Sequence, residues 1–215
     1  MLNPIEEAKF AELKDKCREL GVPAPPEIHI GFQVHDKNGV LIFDDLQRGH
    51  SWTRNYYNLL YACATSGVGS GSASFMAGYM SQKRQSGSID NIIAGIPSSL
   101  ILTIIVGTGD TAFSVEQTNL ATQIADGSGA GQLSHQPMAA AVSTYTAGTK
   151  TWKTTRQRIF NNNSGGIITL KEVGILSDNY TYLVERSLLD PAVAVPVGAQ
   201  LTVTYEITMG FSAID

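Results

Sequence analysis

From Trp152 to Met209 the chain is an unbroken succession of β-hairpin signals, and no other feature restricts its fold so strongly. Apolar or alternating runs are separated by turn residues: Asn161-Asn162-Asn163-Ser164-Gly165-Gly166, Ser177-Asp178-Asn179, and Asp190-Pro191 to Pro196-Val197-Gly198. Asn, Gly, Pro and Asp punctuate such runs because they tolerate or pre-set the backbone angles of tight turns. No cluster of charge interrupts the stretch, and nothing in it has the form of a place where bonds are made or broken. It is the sequence of a scaffold.

Composition points the same way. At 215 residues the chain can bury a real core as one large all-β domain, or one domain with appended segments. Only 16% of residues are charged and the formal net charge is −4, so there is no electrostatic footprint for DNA or RNA. Cys17 and Cys63 stand in apolar company without a partner spacing and read as buried free thiols rather than a disulfide or metal pair. The start of the chain lacks a basic-then-apolar signal pattern, and its longest apolar run is too short to span a bilayer. The expectation is a protein made in a reducing cytoplasm, with no membrane partner.

Pro4 to Leu20 reads as a helix. Asn3 supplies the cap, Pro4 suits the first helical position, Glu6 and Glu7 complement the positive helix start, and Gly21 ends it. Phe10, Leu13, Cys17 and Leu20 share one face, leaving Glu12, Lys14, Lys16 and Arg18 largely outside. That stripe has two open uses: packing on the chain's own core, or docking on a neighbouring subunit. These four residues are the candidate assembly contacts. Val22-Pro23-Ala24-Pro25-Pro26 follows as a stiff extended spacer.

Ile28, Ile30, Phe32 and Val34 alternate with His29, Gly31, Gln33 and His35, the period of a half-buried strand. Asn38-Gly39 suits a type I′ turn, where both central residues need positive φ, and Val40 to Phe43 returns as the second strand. Ser51 is placed to cap a helix from Trp52 to Ala62. Thr65 to Ser74, with Ser86-Gly87-Ser88, forms a Gly/Ser-rich excursion of the kind that is functional or unfolded. Ser99 to Val106 reads as a fully buried strand ended by Gly107-Thr108-Gly109-Asp110. Thr118 to Ile124 suits a short helical turn with Leu120 and Ile124 inward, and Asp126 to Gln132 is a Gly-rich loop. Strands follow near Ala139–Tyr145, Lys150–Phe160, Gly166–Leu176, Tyr182–Leu189 and Ala199–Met209, the last with Leu201, Val203, Tyr205, Ile207 and Met209 on one face. The fold class expected is mainly β: an antiparallel β-sandwich or jelly-roll-like body with an N-terminal helix and extended loops or arms. Residues 1–26 would form the helix and proline spacer. Residues 27–215 would form the β-rich body, with the excursion near 65–90.

Chemistry-bearing motifs are scarce. Gly67-Val68-Gly69-Ser70-Gly71 and Gly107-Thr108-Gly109 have the glycine spacing of phosphate loops, but lack the Gly-Lys-Ser/Thr ending and a strong helix after it, so tight turns are expected. Of the four histidines, His29 and His35 are about 20 Å apart at the usual strand rise, too far to share a metal. Asp44-Asp45 with His50 could supply ligands, although nothing in the spacing makes them converge. No nucleophile elbow, His-Glu-x-x-His or Cys-x-x-Cys occurs. Asn162-Asn163-Ser164 and Asn179-Tyr180-Thr181 match a glycosylation triplet but read as turns. Lys150, Lys153, Arg156 and Arg158 form the densest basic patch, read as a solvent face or subunit contact. No catalytic residue, cofactor or metal site is expected.

Several phrases resemble a family of small β-rich virion proteins of tailed bacteriophages. They are Gly31-Phe32-Gln33-Val34-His35-Asp36-Lys37-Asn38-Gly39-Val40 with Ser51-Trp52-Thr53-Arg54-Asn55-Tyr56; Ile105 to Ser114 leading into Leu120-Ala121-Thr122-Gln123-Ile124; Arg158 to Ile175; and Leu183 to Leu189 followed by Val195 to Tyr205. The resemblance covers most of the chain beyond the helix and lies in strand and turn wording. It implies an oligomeric, non-enzymatic structural component of a tailed-phage particle, located in the virion. Such a component is a tail, neck or fibre-associated protein or a capsid decoration protein. Its partners would be other virion proteins and copies of itself, without nucleic acid. The alternative from another class is a carbohydrate-binding module on a phage or bacterial surface, using Trp52, Trp152, Tyr180 and Tyr182 as stacking platforms.

Overall fold

The computed structural model describes residues 2–21, 24–49, 51–57, 103–177 and 182–210. Helix α1 (Pro4–Glu19) begins where the sequence places it, with the Asn3 side chain accepting from the Ile5 N–H and Pro4 in the first turn. Nine strands follow: β1 (Glu27–His35), β2 (Leu41–Gly49), β3 (Thr103–Gly107), β4 (Ser134–His135), β5 (Val142–Thr146), β6 (Thr151–Asn161), β7 (Ile168–Ser177), β8 (Tyr182–Val195) and β9 (Gln200–Gly210). They build two antiparallel sheets. The larger runs β2-β1-β9-β6-β4, with β5 also paired to β6, and the smaller runs β3-β7-β8. Ile28, Ile30, Phe32 and Val34 of β1, Phe160 of β6 and Leu201, Val203 and Tyr205 of β9 face Ile104, Val106, Val173, Ile175 and Val184 of the smaller sheet in one buried cluster. The body is a mainly-β sandwich, as the alternation of β1 and β9 requires.

β9 is a central strand, paired to β1 on one side and to β6 over its whole length on the other. The β1–β2 connection departs from the type I′ expectation. Among the described residues the only positive φ outside glycine is at Lys150, so Asn38 stays on the ordinary side of the map while Gly39 takes φ +80°. Asp36 explains the change: its Oδ1 accepts from the N–H groups of both Asn38 and Val40, a local side-chain bond that favours an Asp-led turn closed by Gly39 N–H on Asp36 O. β2 is also longer than expected, extending to Gly49.

Three further differences have identifiable causes. Asp190-Pro191 does not end a strand but lies within β8: Leu170 pairs with Val193 and Glu172 with Leu188, so residues 189–192 loop out opposite the single residue Lys171. Gln47 of β2 holds that bulge, accepting from Asp190 N–H and donating to Pro191 O. Thr118 to Ile124 is not helical, although Leu120 and Ile124 are buried as expected. Its N–H groups bond elsewhere: Ala121 and Thr122 to Glu172, and Ile124 to Val106 O. Trp52 is not helical either; it bridges to Glu185 of β8, and helix is described only over residues 54–57. The excursion at 65–90, Cys63, His50 and the remainder of the expected Trp52–Ala62 helix lie outside the described residues.

Candidate functional site

Ionisable side chains normally avoid full burial, yet β7 and β8 carry three that are fully buried. Glu172, Glu185 and Arg186 are each 0% exposed. Strand alternation sends them to opposite faces of the smaller sheet. Glu172 pairs in register with Leu188, and Gly174 with Arg186, so Glu172 and Arg186 share the face turned away from the larger sheet. Glu185 pairs with Ile175 and faces inward.

On the outer of these faces, Arg186 Nε donates to Glu172 Oε2 at 2.7 Å. The remaining carboxylate capacity is filled by backbone N–H groups: Gly109 and Thr122 donate to Oε1 at 3.1 and 2.7 Å, and Ala121 donates to Oε2 at 3.0 Å. The other guanidinium nitrogens donate to Gln117 Oε1 and Thr111 O, both at 3.0 Å. One ion pair therefore organises the connection from β3 through Ile124. The glycines of Gly107-Thr108-Gly109 make this approach possible, since a Cβ on Gly107 or Gly109 would sit 2.5 or 2.6 Å from Glu172 Oε1. The Gly109 amide does serve an anion, but the anion is the chain's own carboxylate.

On the inner face, Glu185 accepts from the Tyr205 hydroxyl at 2.7 Å and from the Ser187 hydroxyl. Burial pushes its carboxyl up to about 7, only partly countered by the Ser187 and Tyr205 bonds and by Arg186. The folded protein thus keeps this proton to about pH 7, while the unfolded chain releases it near the ordinary 4.5. Stability should fall as pH rises through that window, by about 3 kcal/mol in total. His135 acts oppositely: burial holds its pKa below 6.5, so stability is lost as the unfolded chain protonates. Comparing the wild type with Glu185→Gln isolates the first effect. The variant should lose the 4.5-to-7 slope in urea-melt stability and be the more stable protein above pH 7. Identical pH profiles would show that Glu185 is not buried as a carboxylic acid.

The four candidate assembly residues divide. Phe10 is half-buried beneath Arg48, whereas Leu13 is 41% and Leu20 76% exposed. Cys17 is a free thiol that is half-buried rather than buried as expected, because α1 lays no side chain fully into the body. The helix face that meets the body is turned from the apolar stripe toward charge: Glu7 takes a two-bond clasp from Arg48 at 2.6 Å each, and Lys14 reaches Glu27 at 2.7 Å. Arg48 also lies 4.3 Å from the Phe10 ring centre. No residue of α1 is fully buried. The sequence signal for this docking was the Glu7/Phe10/Lys14 spacing, which helical periodicity places on one face.

The basic patch does not stay together. Lys153 points outward to Glu206 at 2.6 Å, while Arg156 and Arg158 alternate to the other face, in register with Tyr205 and Val203. Arg158 turns into the sandwich, donating to Gln136 O and Ile104 O. Asn162 is buried, its amide donating to Val195 O and Gly166 O, so it holds a turn, as expected of that triplet. Trp52 stacks on Tyr56 at 3.8 Å and donates to Pro26 O, whereas Trp152 lies beside the exposed Tyr145. Tyr180 and the Tyr182 side chain lie outside the description. Among the described residues no group of three or more His, Cys, Asp or Glu could hold a metal ion. Protein-family models, curated proteins and solved structures were all compared with the chain, and none matches it.

Proposed function

We propose that this chain is a structural component of a tailed-phage virion, a tail, neck or fibre-associated protein or a capsid decoration protein, acting by assembly rather than by catalysis. The observation that carries the reading is how its polar and apolar groups are distributed. The buried charges at Glu172 and Arg186 are consumed by internal bonds that stiffen the body. Apolar side chains are left outside on α1 and on the larger sheet: Leu13, Leu20, Val40, Leu41, Ile42 and Val142. A body built this way presents contacts and keeps its chemistry sealed. The class is taken from the resemblance of its strand and turn wording to small phage virion proteins.

Particles purified from the phage that carries this gene should contain the protein in stoichiometric amount by mass spectrometry; finding it only in the soluble lysate would overturn the reading. A truncation tests the assembly contacts. Because α1 buries no side chain fully and its own ion-pair partners Glu7 and Lys14 stay partly exposed, deleting residues 1–21 should leave the body folded, with about 1–3 kcal/mol lost as the buried Arg48 gives up its two-bond clasp. Incorporation into particles should drop. If the truncated chain cannot fold, the helix belongs to the core and Leu13 and Leu20 are not assembly contacts.

A further inference from the structure

A β-sheet ends in a row of unpaired backbone groups, and natural sheets cover or blunt those ends because an exposed edge invites another strand. The two sheets of this body are treated differently. Both ends of the smaller sheet are closed from within the chain. Ile124 N–H donates to Val106 O beside β3, with Gly107 bridging Gln123. On β8, Thr53 N–H donates to Val184 O and Arg186 N–H to Ser51 O. Among the described residues, no strand pairs with the outer side of β2, at one end of the larger sheet, or with that of β5, which shares the other end with the two-residue β4. β2 is tied down by Gln47 only near its end.

The sequences of these open ends are not blunted. Val40, just before β2, and Leu41 and Ile42 at its start are exposed by 57, 46 and 49%, and β2 carries Leu46 at 42%. All five residues of β5 are exposed, with Val142 at 64% and Tyr145 at 51%. The surroundings of the two edges differ in charge. Val40 to Leu46 holds Asp44 and Asp45 and no cation, whereas β5 itself is uncharged and the span Ser134 to Lys153 contains no Asp or Glu, with Lys150 in the β5–β6 connection and Lys153 already held by Glu206. Two copies of β2 meeting antiparallel about the strand midpoint would set Asp45 opposite its own counterpart and Asp44 diagonal to its own, a like-charge contact that disfavours a symmetric dimer.

We infer that copies of this chain assemble head to tail, the outer side of β2 in one copy adding to the outer side of β5 in the next, so that the larger sheet continues from subunit to subunit. This deepens the assembly reading and rests on it. Main-chain bonds along the added strand supply affinity, the exposed aliphatics and Tyr145 supply buried apolar area, and the acid-to-base polarity sets direction. Such a contact uses two different patches, so it propagates into a ring where the rotation closes and into a filament where it does not.

Sedimentation of the full chain tests this. The wild type should form species larger than a dimer, and the amides of residues 40–46 and 142–146 should gain hydrogen-exchange protection on association. Ile42→Lys puts a cation on the acidic β2 edge, which would then approach the Lys150 side of the neighbour, and Val142→Glu puts an acid on the β5 edge that approaches Asp44 and Asp45. Both substitutions sit at exposed positions, and unchanged melting temperatures verify that each variant folds. Each variant alone should sediment as a monomer, and an equimolar mixture should associate again, because each supplies the end the other lacks. The inference is overturned by a wild type that stays monomeric at its highest soluble concentration, by a Val142→Glu protein that assembles like the wild type, or by a mixture that remains monomeric. None of these results removes the protein from purified particles, so failure here and failure of the virion reading are distinguishable.

Discussion

Replacing Arg186 with methionine should destabilise the body by about 3–5 kcal/mol, the usual cost of stranding one member of a fully buried ion pair. Methionine fills much of the arginine stem's volume, so the loss reports charge and hydrogen bonding rather than a cavity. Glu172 would keep its three backbone donors at Gly109, Ala121 and Thr122 but lose the guanidinium that neutralises it. Gln117 and Thr111 O would lose their donors as well. The double variant Glu172→Met/Arg186→Met separates two roles of the carboxylate. Where a buried pair serves only itself, apolar replacement of both partners is often neutral. Here three N–H groups also depend on Glu172, and each left unpaired costs about 1–3 kcal/mol. The double variant should therefore remain several kcal/mol less stable than the wild type in urea melts, with faster hydrogen exchange at residues 109, 121 and 122. Recovery to wild-type stability would mean that those amides find other partners.

This network also marks where local reading of the sequence stops. The strands were legible because burial repeats with period two: β1 and β9 could be read from Ile28–Val34 and Leu201–Met209 with their faces assigned. The helix start was legible because its cap is local, Asn3 acting on Ile5. What was missed depends on register. Whether Arg158 faces solvent or core follows from its position opposite Val203, which no window along β6 contains. Asp190-Pro191 has turn chemistry, yet the strand continues past it because Gln47, far away in sequence, captures the bulge. Glu172, Glu185 and Arg186 did leave a signal, since they interrupt strands that are otherwise apolar, and a charge in such a run has to find a partner in the interior. The glycines at 107 and 109 were read only as a tight turn, and only the fold shows that they let the Glu172 carboxylate approach the backbone there. The exposed strand ends were invisible for the same reason: the residues of β2 and β5 do not say which of them will be last in a sheet.

Truncating Tyr205 to alanine should be as damaging, at about 3–5 kcal/mol, because the site combines a large core side chain with a buried polar contact. Tyr205 is 0% exposed on the central strand, paired in register with Ile30 on one side and Arg156 on the other. Its ring fills space between the sheets, and its hydroxyl is one of two side-chain donors to Glu185. Phenylalanine divides these contributions. Tyr205→Phe keeps the ring and removes only the donor, so its cost should be about 1–2 kcal/mol and should grow above pH 7, where Glu185 is charged and needs the donor most. Val203→Ala on the same face should lose about 2–4 kcal/mol through the cavity it leaves. Thr204→Ser, on the opposite face and half-buried beside Gln157, should cost far less, since its hydroxyl can still accept from the Gln157 amide. Equal small losses at positions 203, 204 and 205 would mean that β9 is not held between β1 and β6. Without that strand the larger sheet would divide into two pieces, and β2 and β5 would no longer be the two ends of one surface.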